Sequence, residues 1–336
     1  MVIGPRQDRR PTMNDVAARA QVGLRTVSRY VNGMTNINPE MAERIRSAIE
    51  ELGYRRNLAA ASIRPGQTSG VIGLVIGDLA NPYWAALARS VESVAAETGL
   101  LLTIASSEED GARHDWVVER LLQQQVDMII DVAPRTVGRS WSHWSPPLPP
   151  VVFVDRPGDL AGADTVLADN RGGTRDAVAA LLAGGARRIA FVGDDRALHT
   201  MDERYEGYLL AHAQHGVVVD PTLVFETSHS SGQAVDLVAR LLREGRADAL
   251  FAANNRAAVG ALLAFRTVGT RLPIIGFDDF EAAPLFDPPL SVVAQDVEAM
   301  GRAAVRAGLD RLQGDDGPAR VQVLPTTLQL RGSERP

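Results

Sequence analysis

Between Thr12 and Gly53, apolar residues recur at helical spacing in three short runs separated by polar turns. Val16, Ala17 and Ala20 make the first stripe, and Thr12 followed three residues later by Asp15 has the spacing of a capping box. From Leu24 a second helix fits, with Val27 and Val31 facing inward. The rows Leu24–Ser28 and Arg25–Arg29 are then left to face outward. Gly23 stands where this helix starts, and Val22 in the turn is placed to plug the small core. Asn38, Pro39 and Gly53 punctuate a third helix whose inner face is Ala42, Ile45, Ala48, Ile49 and Leu52. Residues 57–64, "NLAAASIR", predict a fourth short helix ended by Pro65-Gly66. Eight residues nucleate poorly in water, so the segment is either a plain linker or a helix ordered by a partner.

From residue 71 the pattern changes to short continuous apolar runs alternating with amphipathic stretches. Strands are predicted at 71–78, 100–107, 127–133, 151–155 and 165–169, then at 188–194, 223–227, 249–254 and 273–278. Helices are predicted at 84–97, 115–124, 172–183 and 232–243, and a final strand-like segment spans 321–333. This alternation predicts buried parallel sheets in α/β layers. Two strand sets over about 260 residues imply two similar lobes, with a cleft at the carboxyl ends of the strands. "SWSHWSPPLPP" (140–150) breaks the rhythm and reads as a packed loop.

Charge sharpens this division. The whole chain carries −6, yet residues 1–70 hold 11 Arg against 6 Asp or Glu, so a head of +5 precedes a body of −11. A basic head on an acidic body suits a polyanion-binding module joined to something else. On pattern and charge alone, the head is either a helix-turn-helix DNA reader or an ordinary three-helix mini-domain. Cysteine is absent, which excludes disulfides and thiolate metal sites. No apolar run is long enough to span a bilayer and none resembles a signal peptide, so a soluble cytoplasmic protein is expected. Catalytic signatures are also missing: there is no glycine-rich phosphate loop after a strand, no "GxSxG" elbow and no metal-ligand spacing. His212 and His215, three apart on a helix expected at the surface, read as solvated side chains. No cofactor, metal or catalytic residue is expected, and the chain reads as a binding protein rather than an enzyme.

Nine segments carry a resemblance to the lactose/galactose-repressor (LacI/GalR) family of bacterial transcription regulators. They are "NDVAARAQVGLRTVSRYVNG", "IRSAIEELGYRRN", "VIGLVIGDLANPYW", "VVFVDRP", "ADNRGG", "RRIAFVGD", "ERYEGYLLA", "FAANN" and "IIGFDD", in the family's order and at its separations. The resemblance implies an all-α helix-turn-helix DNA-binding domain at 12–56, a hinge at 57–70, and an α/β effector domain at 71–333. That last domain would have the two-lobed periplasmic-binding-protein fold, one lobe formed by about 71–168 with 297–324 and the other by 169–296 with 325–333. The partners implied are a double-stranded DNA operator, a second copy of the chain in a homodimer, and a small-molecule effector of carbohydrate type. The alternative is a solute-binding receptor, which would need an export signal and no basic helical head.

The resemblance also assigns residues. Leu24 and Arg25 fall on the positions that set operator choice, with Ser28 and Arg29 beside them in the major groove. Arg25 suits a guanine edge, and Leu24 offers apolar contact such as a thymine methyl. Thr12 and Asn32 are placed to position phosphates. In the hinge, Asn57 and Ala60 flank Ile63, the side chain that would wedge into the minor groove. For the effector, Tyr83 and Trp84 supply aromatic surface, while Arg204, Asn254 and Asp278 supply a fork donor, an amide and a carboxylate able to bracket vicinal hydroxyls. Asp155 and Asp169 end strands at the expected cleft and complete the set. Asn255 stands where the family usually has aspartate.

Overall fold

The structure is a computed structural model that describes residues 10–34, 36–55, 68–135, 140–226 and 230–336. The chain divides into two units, Met1–Ser69 and Gly70–Pro336. The predicted hinge residues Asn57, Ala60 and Ile63 lie outside the described residues.

The first unit is a three-helix bundle of α1 (Met13–Ala20), α2 (Leu24–Val31) and α3 (Pro39–Leu52). Its boundaries follow from local chemistry. Thr12 and Asp15 form the reciprocal capping box. Asn38 caps α3 through Glu40 N–H at 2.8 Å, Pro39 opens it, and Gly53 closes it with φ of 61°. Val16, Val27 and Ile45 are fully buried at the centre, with Val22, Val31 and Ile49 packed around them. Burying each of the three contributes on the order of 1.5–3 kcal/mol, a large share for so small a bundle.

The second unit holds two sheets. The chain runs β1 (Val71–Ile76), α4 (Pro82–Glu97), β2 (Leu101–Ser106), α5 (Gly111–Gln123), β3 (Met128–Asp131), β4 (Val151–Val154) and β5 (Asp164–Ala168). It continues through α6 (Asn170–Ala183), β6 (Ile189–Val192), α7 (His199–Gln214), β7 (Val224–Phe225), α8 (Ser231–Glu244), β8 (Ala249–Ala252), α9 (Asn255–Val268), β9 (Ile274–Phe277) and β10 (Ser291–Gln295). The last elements are α10 (Val297–Leu312), β11 (Val321–Leu324) and β12 (Thr326–Gln329). The sheet orders are β11-β5-β4-β3-β1-β2 and β12-β10-β9-β8-β6-β7, the same pattern repeated. Alternate strand residues serve opposite faces. In β1, Ile72, Leu74 and Ile76 meet α4 and α10, while Val75 meets α5. The second sheet is likewise covered by α8 and α9 on one face and by α6 and α7 on the other.

The structure departs from the sequence reading in three places. The final segment is two strands: β11 runs parallel to β5, whereas β12 runs antiparallel to β10. Only Pro325 separates them. Both sheets point their strand carboxyl ends at a common cleft, so a chain leaving the first sheet there enters the second from that end, running backward. The sequence pattern predicts neither β10 nor α10. His212 is 2 % exposed rather than solvated, its Nδ1 bonded to the Tyr208 carbonyl oxygen one helical turn back, at 2.9 Å.

The 140–150 segment is packed, as its composition suggested. Trp141 and Trp144 are buried with ring centres 5.1 Å apart. Their indole N–H groups donate to Asp131 (3.2 Å) and Glu119 (3.1 Å), so neither buried donor is wasted. Asp131 also meets His114 Nε2 at 2.8 Å, and both side chains are buried.

Candidate functional site

On the helical unit, α2 presents the predicted reading face. Leu24 is 46 % exposed and Arg25 is exposed, its guanidinium in no hydrogen bond or ion pair with another described residue. Ser28 and Arg29 are half-buried. Arg29 donates to the Asn36 side-chain oxygen at 2.5 Å, which ties it to the loop after α2. Asn32 caps the carboxyl end of α2, its amide 3.5 Å from the Ser28 hydroxyl. The Thr12 hydroxyl donates to Asp15 at 2.7 Å, so a phosphate contact from it would compete with the capping box. Gly23 caps α2 in extended geometry with no side-chain bond, and a Cβ there would meet only Thr26 Oγ1, at 4.0 Å.

In the second unit a cavity of about 70 Å³ opens between the two sheets' carboxyl ends. Six of the seven predicted effector residues line it: Tyr83, Trp84, Asp155, Arg204, Asn254 and Asp278. Asp169 does not. Its Oδ1 accepts the Gly172 N–H at 2.7 Å and caps α6. Because a helix follows Asp169 at once, its carboxylate is turned onto the helix end rather than into the cavity.

Asp155 and Asp278 sit at the ends of β4 and β9 and are joined by a polar bridge. The Tyr83 hydroxyl donates to Asp155 Oδ1 at 2.8 Å and lies 3.3 Å from Gln295 Oε1, while Gln295 Nε2 donates to Asp278 Oδ1 at 2.6 Å. Burial raises the Asp155 carboxyl above its ordinary range, against the opposing charges of Arg156 and Arg204. Burial and the two nearby carboxylates likewise push the Tyr83 hydroxyl well up, so it stays a donor.

Arg204, on α7, is 3 % exposed and fixed on several sides. Its Nε donates to Asn170 Oδ1 (2.8 Å), its Nη1 donates to the Ala253 carbonyl (2.6 Å) and lies 3.6 Å from Asp278 Oδ2, and its guanidinium covers the Phe277 ring. Asn254 caps α9 through its side-chain oxygen (2.7 Å to Ala257 N–H), which leaves its amide N–H₂ as a donor at the cavity wall. Trp84 packs edge-on to Tyr83, and the Arg156 guanidinium stands 5.7 Å from its ring centre.

Sequence reasoning missed much of the charged wall. Arg156 makes two parallel bonds to Glu109, at 2.7 and 2.9 Å. Burial alone would raise Glu109, but the Arg156 charge and its hydrogen bonds outweigh that and hold it below its usual range. A Cβ at Gly77 would come within 2.2 Å of Glu109 Oε1, so any larger residue there would push this carboxylate aside. Besides the Tyr83–Gln295 contact, three further links among the described residues cross between the lobes at the cavity: Arg135 to Asp194 (3.2 Å), Asn255 Nδ2 to Asn81 Oδ1 (2.7 Å), and Arg256 to Asp78. Most of these groups come from loops, where no apolar periodicity announces them. Arg156 could have been found, since it adjoins Asp155 in "VDRP".

Two family descriptions match the chain: bacterial regulatory proteins of the lacI family over residues 12–57, and the periplasmic-binding-protein-like domain over residues 178–334. The HTH-type transcriptional regulator CelR of Thermobifida fusca is 32 % identical, covering 97 % of this chain and 98 % of its own. The chain belongs to the lacI family of bacterial regulatory proteins. It is therefore a DNA-binding transcriptional regulator with a helix-turn-helix head and a two-lobed binding body. DegA of Bacillus subtilis (strain 168) is 30 % identical over 97 % of this chain and 98 % of that one.

Among solved structures, the CelR–cellobiose complex superposes with a TM-score of 0.70 at 30 % identity, covering 96 % of this chain and all of the other. The lac repressor dimer bound to operator and an anti-inducer superposes at 0.85 with 24 % identity, over 98 % of this chain and all of that one. This second likeness shows the fold alone. Among the described residues, no helix is long and apolar enough to cross a membrane.

Proposed function

We propose that this regulator is a repressor that binds a pseudo-palindromic operator as a homodimer and is controlled by a sugar or sugar derivative held in the inter-lobe cavity. The observation that carries the effector assignment is the convergence of Arg204, Asn254 and Asp278 on one cavity with Tyr83 and Trp84. A fork donor, an amide and a carboxylate answer vicinal hydroxyls with paired bonds. The relative CelR, seen in complex with cellobiose, supports the same class.

On the DNA side, Leu24 and Arg25 read bases from α2, with Ser28 and Arg29 beside them, while Thr12 and Asn32 position the backbone. Asn57, Ala60 and Ile63 form the minor-groove hinge within 57–70. One lobe comprises about 71–168 with 297–324 and the other 169–296 with 325–333. The homodimer reading is supported by the edge strand β2, which leaves Leu101 67 % and Ile104 42 % exposed. Two-fold protein symmetry then matches two-fold DNA. The protein acts in the cytoplasm, on nucleoid DNA, as a binding switch and not as an enzyme.

The test is a titration of operator duplex with full-length protein at several salt concentrations. The expected result is two chains per duplex with affinity falling steeply as salt rises. One chain per duplex, or salt-independent binding, would overturn the reading.

A further inference from the structure

We propose that the cavity selects an electrically neutral, polyhydroxylated ligand and rejects phosphorylated or carboxylated sugars; this rests on the sugar reading above. An anionic sugar needs a cation to receive it, and the cavity offers arginines that are already matched to carboxylates. Arg156 is clasped by both oxygens of Glu109 and lies 3.2 Å from Asp155 Oδ2. Arg204 faces Asp278, Arg135 faces Asp194, and Arg256 faces Asp78. Among the described residues, the wall thus sets five carboxylates against four guanidiniums.

A phosphate monoester brings about −1.5 to −2 charges at pH 7. To be bound it would have to displace a carboxylate from a buried or half-buried pair and leave that carboxylate in the same small cavity. It would also sit near Asp155, whose burial already disfavours negative charge. Hydroxyl groups meet no such conflict. They donate to Asp155 and Asp278 and accept from the Asn254 amide, without breaking any arginine pair.

The experiment is isothermal titration of the full-length protein with a library of neutral mono- and disaccharides, cellobiose included, each paired with its terminal phosphate ester and its uronate. The expected result is that a neutral sugar binds at least tenfold more tightly than its charged partners, and that Arg204→Ala abolishes the binding. A phosphate ester or uronate binding as tightly as its neutral parent would overturn the neutrality inference and leave the sugar reading intact. Silence from every sugar would overturn the sugar reading itself, and sugar binding that survives Arg204→Ala would overturn its placement in this cavity.

Discussion

Asp155 and Asp278 are one structural position repeated in two lobes. Each follows a four-residue strand, each has a left-handed backbone (φ of 71° and 72°), and each donates its N–H to a valine carbonyl of the next strand at 2.9 Å, Val166 and Val293 respectively. Aspartate tolerates this conformation better than most residues, at a cost of about 1–3 kcal/mol. The turn delivers both carboxylates to the same cavity. Asp278→Asn keeps a residue suited to the turn and removes only the charge. It should lose stability to urea only through the lost Arg204 pairing while weakening sugar binding at least tenfold. Asp278→Ala should in addition lose about 1 kcal/mol relative to the Asn variant. Equal stability of the two variants would show that the backbone there is not strained.

The lobes are tied across the cavity by Asp78–Arg256, Arg135–Asp194 and Asn81–Asn255. A gate at these ties would open to admit a sugar to the cavity of about 70 Å³ and close again with each arginine pair re-formed. Asp78→Asn should therefore raise the association rate of sugar several-fold, followed by stopped-flow fluorescence with Trp84 inside the site. An unchanged rate would mean that the ties do not gate the cleft.

At the DNA face, Gly23 has room for a serine side chain. Gly23→Ser should strengthen the α2 cap by a few tenths of a kcal/mol and tighten binding to many duplexes alike. Arg25→Ala should instead relax discrimination at one base pair per half-site by about 1–3 kcal/mol. A selection-and-sequencing comparison of the two variants separates these effects; uniform weakening by Arg25→Ala would place Arg25 on phosphate instead.

The His114–Asp131 pair gives a pH signature. Burial disfavours the His114 charge, but Asp131 outweighs it and raises the folded value above that of a free histidine. Its contribution to stability is thus fully present below about pH 6.5 and fades as pH rises through the raised folded value. Thermal melts should show a decline over that window that is reduced in His114→Gln. An identical decline in the variant would assign the effect to other groups.

The sequence revealed the elements whose apolar spacing is regular and concealed those that depend on direction. The bundle's caps at Thr12, Asn38 and Gly53 were all legible, because each is a local bond between neighbours in the chain. The division of 321–333 into strands of two different sheets was not, since only Pro325 marks it and the partners β5 and β10 are distant. Asp155 and Asp169 looked alike as strand-ending acids. They part because Arg156-Pro157 continues as a loop whereas Asn170 starts a helix, which takes the Asp169 carboxylate as its cap. Glu109, Arg135 and Asp194 were invisible for the opposite reason: pairing among loop residues distant in the chain leaves no local pattern.

The claim that the cavity controls operator binding is tested most directly by measuring both arms of the linkage. Operator affinity is determined with and without saturating sugar, and sugar affinity with and without saturating operator. The account predicts a change in operator affinity by some factor and an equal factor in sugar affinity, both abolished by Arg204→Ala. Operator affinity that stays constant at saturating sugar would contradict it.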